Sequence, residues 1–293
     1  FSSPVIFMRF NFLFNKAVGI DIADRSVEVV ELAGGMRSPR VTALGRVALA
    51  QGVVERGVIK DRKALSTAVR EAMRSAERGG EGKKRSRGIT TRRIIFGLPD
   101  SQVYIHPFAC PWAGVPKGDA ALGAMVLTEA REHIPIEEAD LIISYKVLGR
   151  TDTGLDFLVA GTSRKLLNDW QRFFAELGLT VEFDLETIAT FRGIFPEAVE
   201  RPVAVIDCGA VSTMIAVFDK NGLRYSRTLP KGGESFTAAV AETLKVDYAV
   251  AEEKKQEIGI LDPESQIFTI LLRELAPLKD EIKATIDHYE RWS

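Results

Sequence analysis

Two separate stretches of the chain share one pattern of apolar and polar positions. In the first stretch, residues 17–32, an alternating run reaches Asp21, a short turn follows, and a second apolar run begins. The second stretch, residues 203–218, repeats this order around Asp207. Alternation with a period of two predicts β-strands, and a tight turn between two such runs predicts a hairpin. We therefore expect two hairpins of the same design, one in each half of a duplicated fold.

Both predicted hairpins carry groups that suit a nucleotide with its magnesium ion. A tight turn exposes backbone N–H groups, which can cradle a phosphate, and a hydroxyl side chain follows each turn. A carboxylate at the end of a strand can hold Mg²⁺, usually through water. The pair of hairpins therefore predicts one nucleotide clamped between two halves. The residues expected there are Asp21 and Ser26 in the first hairpin and Asp207, Gly209, Ser212 and Thr213 in the second, with Asp21 and Asp207 as the metal-binding pair.

The remaining chain shows the patterns of further helices and strands. Gly232 and Gly233 open a predicted helix, and because a helix N-terminus beside glycines can hold phosphate, both join the predicted site. Apolar residues at helical spacing predict helices at about 62–78, 119–133, 163–177, 186–195, 233–244, 247–258 and 265–291, with a kink or break at Pro277. Strands are expected at 40–50, 94–99, 102–108, 141–148, 157–160, 181–184 and 224–229.

Composition narrows the class of protein. With 293 residues, 27% of them charged and 46% hydrophobic, the chain is long enough for two domains with a sizeable core. The net charge of −1 gives no general attraction to nucleic acid or to an anionic membrane. Cys110 and Cys208 lack the spacing of a metal site, and Cys208 is expected inside a buried strand. These features predict a cytoplasmic protein without a membrane span.

Three further features have mainly structural interpretations. The three histidines are scattered along the chain, and we interpret them as surface or packing residues rather than ligands. The stretch 79–93, rich in glycine, lysine and arginine, is interpreted as a solvated loop, with contact to an anionic partner as the alternative. Residues 1–16 are interpreted as a lead-in, with translation beginning at Met8 and residues 1–7 as an upstream extension. A surface-lying membrane anchor is the alternative.

Several short motifs together resemble one known family. They are the first hairpin, Leu98-Pro99, the helix end Glu132-His133-Ile134-Pro135, Asp207-x-Gly209, and Leu229-Pro230-x-Gly232-Gly233. In this order they resemble the PilM family, the actin-like cytoplasmic proteins of type IV pilus assembly, which are related to the cell-division protein FtsA. The likeness runs from about residue 17 to 290 and is strongest at the two hairpins.

The resemblance implies an α/β architecture. It is the actin-like ATPase fold, with two ribonuclease-H-like domains and a small FtsA-type inserted subdomain. The first domain would comprise residues 17–99 and 181–200, the inserted βαββα subdomain residues 100–180, and the second domain residues 201–293. Because the chain stops before the Gly-rich loop that covers the adenine in this family, we expect the second domain to be incomplete, with a degenerate cleft as the alternative.

The resemblance also implies ligands and partners. ATP with Mg²⁺ would bind in the cleft. Ala251-Glu252-x-x-Lys255 is similar to the adenosine-side helix motif of the actin-like superfamily, in which Glu252 and Lys255 approach the ribose and base. The implied partner is the short cytoplasmic N-terminal peptide of a PilN-like single-span inner-membrane protein, with other inner-membrane and motor components of the pilus machine around it. The chain would lie at the cytoplasmic face of the inner membrane through these partners, and no nucleic-acid partner is implied.

The first turn departs from the family pattern. Ala23 has a Cβ atom where the backbone should approach phosphate, and Asp24 and Glu28 place negative charge near a polyanion. Arg25 can compensate through a charge-assisted contact and therefore joins the nucleotide-binding residues. These departures predict that nucleotide binding is impaired at the first turn.

Three functions fit these patterns. The preferred hypothesis is a nucleotide-responsive scaffold with at most weak ATPase activity, in which closure of the cleft alters the groove that holds the partner. An ATP-dependent kinase of the same superfold needs a general base near a substrate hydroxyl, and the sequence offers no convincing candidate. An FtsA-like division protein would need a membrane tether, but the acidic residues of the last helix disfavour anionic lipid.

Overall fold

The computed structural model describes residues 16–34, 39–77, 88–195, 197 and 199–292. The chain divides into two compact units, Phe1–Glu197 and Ala198–Ser293, and each is described by itself. The predicted lead-in up to residue 15, residue 78 and residues 79–87 of the basic stretch lie outside the described residues. Among the residues that are described, no helix has the length and apolar character needed to cross a membrane.

Unit 1 contains two main sheets and four helices among its described residues. In chain order its elements are β1 (Lys16–Ile22), β2 (Ser26–Ala33), β3 (Arg40–Ala48), β4 (Val54–Glu55), β5 (Val58–Ile59), α1 (Arg62–Ser75), β6 (Arg93–Leu98), β7 (Tyr104–Pro111), α2 (Asp119–His133), β8 (Leu141–Arg150), β9 (Gly154–Ser163), α3 (Arg164–Glu176), β10 (Thr180–Leu185) and α4 (Glu186–Ile194). The ribbon of β4 and β5 was not expected, because each of its strands has only two residues and shows no readable alternation.

The large sheet has the strand order β10-β6-β1-β2-β3. β10, β6 and β1 run parallel, whereas β1, β2 and β3 are antiparallel neighbours. α1 and α3 contribute to the core of this sheet, where the Phe96 ring lies 4.5 Å from that of Trp170 and 5.2 Å from that of Phe174. The buried face of α3, which the sequence analysis assigned to the inserted subdomain, therefore packs with the large sheet.

The small sheet has the order β7-β9-β8 and is antiparallel throughout. α2 packs Val126 and Ala130 into a separate core with Phe108 of β7 and Phe157 of β9. The predicted helix at 119–133 agrees with α2 to the residue. A second hydrophobic core thus forms within the region predicted as the insertion, although the predicted domain boundaries themselves stay a prediction.

Unit 2 combines a three-stranded antiparallel sheet with three helices. Its elements are β11 (Val203–Cys208), β12 (Thr213–Asp219), β13 (Gly222–Leu229), α5 (Gly233–Leu244), α6 (Tyr248–Ile258) and α7 (Gln266–Trp292). Six of the seven β12 residues are buried, and the sheet order is β11-β12-β13. α7 continues through Pro277 as one helix, so the chain does not break there.

The expectation that Cys208 is buried is wrong. Cys208 is exposed, whereas Cys110 is the buried cysteine. β11 pairs with β12, but its side chain at Ile206 is 45% exposed. Nothing in the described part of the chain covers this end of β11, and the apolar pattern of a strand does not reveal whether a second layer covers it.

Candidate functional site

The first turn joins β1 to β2 and places Asp21 at an exposed position. Asp21 lies opposite Glu28 in the antiparallel register, one pair before the end of the hairpin. The N–H of Ala23 donates to the carbonyl oxygen of Ser26 over 3.0 Å and closes the turn. The Ser26 side chain is buried, and its hydroxyl donates to Oε1 of Glu28 over 3.4 Å. This hydroxyl is therefore used inside the hairpin.

The second turn joins β11 to β12 with the same geometry. Asp207 is exposed and pairs with Met214, so in both hairpins the aspartate faces the residue seven positions later. The N–H of Gly209 donates to the carbonyl oxygen of Ser212 over 2.9 Å, and this bond is equivalent to the one between Ala23 and Ser26 that closes the first turn. The repeat predicted from the sequence is therefore a repeat of backbone geometry.

The second turn lies against the N-terminus of α5. The N–H of Gly233 donates to the carbonyl oxygen of Gly209 over 2.9 Å, and the N–H of Glu234 donates to that of Ala210 over 2.8 Å. A Cβ atom on Gly232 would lie 2.5 Å from the first of these oxygens and 2.7 Å from the second, closer than real contacts allow. The first amides of α5 and the bare backbone of Gly232 therefore hold the turn in place.

Three amides of the second turn take no part in this interface. Among the described residues, the N–H groups of Ala210, Val211 and Ser212 make no hydrogen bond. The hydroxyl of Thr213, which is fully buried, donates to the carbonyl oxygen of Lys231 over 2.7 Å. A run of successive backbone donors in a turn is an anion-binding arrangement. These three amides are donors that the second turn can offer to a phosphate.

Glu252 and Lys255 of α6 meet the first turn of α5. Nζ of Lys255 donates to the carbonyl oxygen of Gly233 over 3.1 Å and to the hydroxyl oxygen of Thr237 over 2.8 Å. The same Nζ lies 2.8 Å from Oε2 of Glu252, which also accepts a hydrogen bond from Thr237. The predicted adenosine-side pair is thus connected to the predicted phosphate-side glycines.

The pKa of the Glu252 carboxyl is lowered by these contacts. Burial by itself raises this pKa, but hydrogen bonds from Lys255, Thr237 and Gln256, together with the charge of Lys255, outweigh the effect of burial. Glu252 is therefore ionised at neutral pH, and its ion pair with Lys255 is part of the folded structure.

The predicted site residues fall into two sets, one in each unit. Asp21, Arg25 and Ser26 belong to the first turn, where the carbonyl oxygen of Arg25 accepts a hydrogen bond from the N–H of Leu49 over 2.7 Å. In unit 2, hydrogen bonds connect the second turn through α5 to α6. The residues brought together there are Asp207, Gly209, Ser212, Thr213, Gly232, Gly233, Glu252 and Lys255.

Sequence reasoning missed two residues of this cluster, Thr237 and Lys231. Thr237 lies one helical turn after Gly233, and this spacing of four residues on a predicted helix was an available signal. Lys231 immediately precedes the glycine pair, and its Nζ lies 2.9 Å from Oε2 of Glu274. The hydrogen bond from Lys231 lowers the pKa of the Glu274 carboxyl and ties α7 to the start of α5.

Comparison with known protein families identifies the family to which the chain is related. The model of the family described as type IV pilus assembly protein PilM matches residues 19–291. The chain belongs to the PilM family. The resemblance found in the sequence motifs is thereby confirmed.

Solved structures share the fold. A PilM–PilN type IV pilus biogenesis complex aligns with a TM-score of 0.77 and 20% identity, over 94% of this chain and 77% of that chain. The ethanolamine utilization protein EutJ from Carboxydothermus hydrogenoformans aligns with a TM-score of 0.54 and 16% identity, over 95% and 74%. MreB5 of Spiroplasma citri bound to AMPPNP aligns with a TM-score of 0.53 and 12% identity, over 93% and 79%. The predicted α/β actin-like ATPase fold is confirmed.

One curated relative supports the predicted relationship to FtsA. The cell division protein FtsA of Bacillus subtilis (strain 168) is 23% identical over 262 residues, and the match covers 83% of this chain. The match covers 58% of that protein, so the chain spans a little over half the length of this relative.

The contact between the second turn and α5 predicts the effect of Gly232→Ala. The added methyl group must displace two backbone carbonyls, so the free energy of unfolding should fall by about 1–3 kcal/mol. Amide hydrogen exchange should accelerate at Gly233 and Glu234, which lose their acceptors. The matched control is Gly193→Ala in α4, where no atom lies within 4 Å of the new Cβ. It should leave stability equal or higher by up to about 1 kcal/mol. Equal behaviour of both variants in urea unfolding would contradict the proposed constraint.

The lowered pKa of Glu252 predicts a specific loss of stability in acid. A carboxyl whose folded-state pKa is depressed contributes stability above its ordinary value of about 4.5, and this contribution disappears as the pH falls through the lowered value. Between pH 6 and about pH 3, the free energy of unfolding should therefore decline less steeply with falling pH for Glu252→Gln than for the parent. The difference in slope should correspond to at most one proton taken up on unfolding. Glu253→Gln, at an exposed position of α6, is the control and should follow the parent. A Glu252→Gln curve parallel to the parent would refute the linkage.

Proposed function

We propose that the chain is a nucleotide-binding scaffold of type IV pilus assembly that acts at the cytoplasmic face of the inner membrane. The observation that carries this proposal is the family match over residues 19–291. Family membership favours a role in the pilus machine over the cell-division role named for the FtsA relative.

The proposed nucleotide is ATP with Mg²⁺, and the second turn fits its phosphates. The three amides of residues 210–212 supply donors that the described chain does not use. Asp207 supplies an exposed carboxylate at the strand end, which suits an Mg²⁺ ion reached through water. The bound nucleotide would stabilise one conformation of the scaffold over another. The second turn is therefore the proposed main phosphate contact.

The elements behind the second turn are proposed to support the same ligand. Gly232 acts by letting the turn approach α5, since a Cβ atom there would meet two carbonyls of the turn. Gly233 donates its N–H to the turn and accepts a hydrogen bond from Lys255 of α6. Glu252 and Lys255 are proposed for the adenosine side, because both reach the start of α5 from α6. In this arrangement a shift of α6 would move the second turn, because Lys255 of α6 bonds to Gly233 and Gly233 bonds to Gly209 of the turn.

The first turn is proposed to have a supporting role. Asp21 would be a second water-mediated Mg²⁺ ligand, Arg25 a phosphate contact, and Ser26 would hold the turn through Glu28. The carboxylate of Glu28 lies 3.2 Å from Nε of Arg46, which offsets part of its repulsion toward a phosphate. The offset is small, since both side chains are exposed to solvent screening.

The proposed partner is the short cytoplasmic N-terminal peptide of a PilN-like single-span inner-membrane protein. The solved structure that aligns with a TM-score of 0.77 is a complex of PilM with PilN, and it covers 94% of this chain. We propose that nucleotide and peptide affect each other's affinity by the same factor, as linkage requires. Other inner-membrane and motor components of the pilus are proposed to join this complex through the partner.

Peptide binding provides the first test. A labelled peptide from the N-terminus of the PilN-like protein of the same organism should bind the whole chain saturably with micromolar affinity, about −8 kcal/mol. A peptide with the same residues in scrambled order should bind at least about ten-fold more weakly, and fluorescence anisotropy measures both. Protein shown to be folded by circular dichroism that binds neither peptide would overturn the partner proposal.

The role of Asp207 provides an independent test of the nucleotide. Asp207→Asn keeps the size of the side chain and removes its charge, so affinity for MgATP should fall at least ten-fold, about 1.4 kcal/mol. The loss should shrink when ATP is titrated in EDTA, because the lost contact runs through Mg²⁺. Asp262→Asn alters an exposed aspartate of the same unit and should bind like the parent. Equal calorimetric affinity of parent and Asp207→Asn would rule out the metal role.

A further inference from the structure

Three side chains able to bind a metal ion meet beside the small sheet of unit 1. His106 lies on β7, whereas Glu129 and His133 lie one helical turn apart on α2. Nε2 of His106 lies 3.2 Å from Oε1 of Glu129, and Nδ1 of His133 lies 3.4 Å from the same oxygen. One ligand atom from each residue lies within 4.8 Å of those of the other two. Two imidazole rings therefore converge on one carboxylate oxygen.

These separations resemble the edges of a tetrahedral metal site. Zinc binds histidine nitrogen and carboxylate oxygen at about 2.0–2.2 Å, so neighbouring ligand atoms of a tetrahedron lie about 3.3–3.5 Å apart. The two measured separations to Oε1 of Glu129 are within about 0.1 Å of that range. An ion could therefore enter between the three groups with small side-chain movements.

The surroundings hold the two rings in place while leaving access from solvent. The His106 and His133 rings stack with centroids 4.1 Å apart. Nδ1 of His133 donates to the backbone carbonyl oxygen of Glu129 over 3.0 Å, so an ion bound at Nδ1 would release this proton to solvent and replace this hydrogen bond. On its inner side, His106 stacks on the buried Phe108. The side chains of His106, Glu129 and His133 remain 23%, 32% and 44% exposed. Rings ordered before binding reduce the entropy cost of capturing an ion.

We propose that His106, Glu129 and His133 bind one divalent transition-metal ion, with Zn²⁺ as the first candidate. Two imidazoles and one carboxylate suit Zn²⁺, whereas Mg²⁺ and Ca²⁺ prefer oxygen ligands throughout. The ion would join β7 to the C-terminal end of α2 and stabilise the small sheet. Three protein ligands leave a fourth position for water. This site is independent of the proposed nucleotide and peptide, and it revises the initial interpretation of these two histidines as surface or packing residues.

Zinc titration of the whole chain tests the proposal. The exposed thiol of Cys208 is a competing ligand, so the reference protein carries Cys208→Ser. Calorimetry should show one Zn²⁺ site, and His106→Ala or His133→Ala should weaken binding at least about 100-fold. The matched control is His288→Ala, which removes the remaining histidine of the chain and should bind like the reference. Absence of binding by the reference, or equal binding by all variants, would overturn the proposal.

Cobalt spectroscopy of the reference protein, which keeps His106, Glu129 and His133, is a test that does not depend on the folding of the histidine variants. Co²⁺ bound at this site should give the visible d–d bands of a four-coordinate ion without a thiolate charge-transfer band, and Zn²⁺ should remove the bands. Zn²⁺ should also raise the melting temperature of the reference relative to EDTA, because it binds the folded state. Absence of the d–d bands from the reference protein, or a melting temperature unaffected by saturating Zn²⁺, would show that only a hydrogen-bonded triad is present.

Discussion

The carbonyl oxygens of Gly209 and Ala210 accept hydrogen bonds from the first two amides of α5, and the position of the second turn depends on this pair. The approach is possible because Gly232 has no side chain between them. A helix N-terminus carries donors without intrahelical partners, which a ligand or another part of the chain can satisfy. Here the turn satisfies two of them, so the turn and the helix start behave as one structural piece.

This arrangement changes how the glycine pair contributes to a phosphate site. Glycines at a helix start are commonly interpreted as making room for the phosphate itself. In this chain the carbonyls of the second turn occupy the space beside Gly232. The backbone N–H groups of the described turn that make no hydrogen bond are those of residues 210–212. Lys255, bound to the carbonyl oxygen of Gly233, extends the same rigid piece to α6. The unbonded amides of the turn are thereby separate from the helix end that holds the turn in place.

The sequence was sufficient for features that depend on neighbouring residues. Alternation and a short turn specify a hairpin locally, so the strands around Asp21 and Asp207 were predictable. The bounds of α2 were predictable too, because apolar residues at helical spacing mark a helix locally. Features that depend on distant elements were not predictable. Exposure of Cys208 depends on what covers β11, and the packing of α3 depends on the large sheet. Likewise, pairing of Lys231 with Glu274 joins positions 43 residues apart.

The two turns share a backbone but differ in the charge around them. Opposite Asp21 stands Glu28, whereas opposite Asp207 stands the buried, uncharged Met214. A phosphate approaching the first turn would meet two facing carboxylates, with Arg46 offsetting one of them. At the second turn it would meet one carboxylate beside three available amides. Because Coulomb repulsion is strongest at short range, the same backbone geometry favours phosphate at the second turn more than at the first. Equivalent backbone geometry in the two hairpins is therefore combined with unequal charge around the two turns.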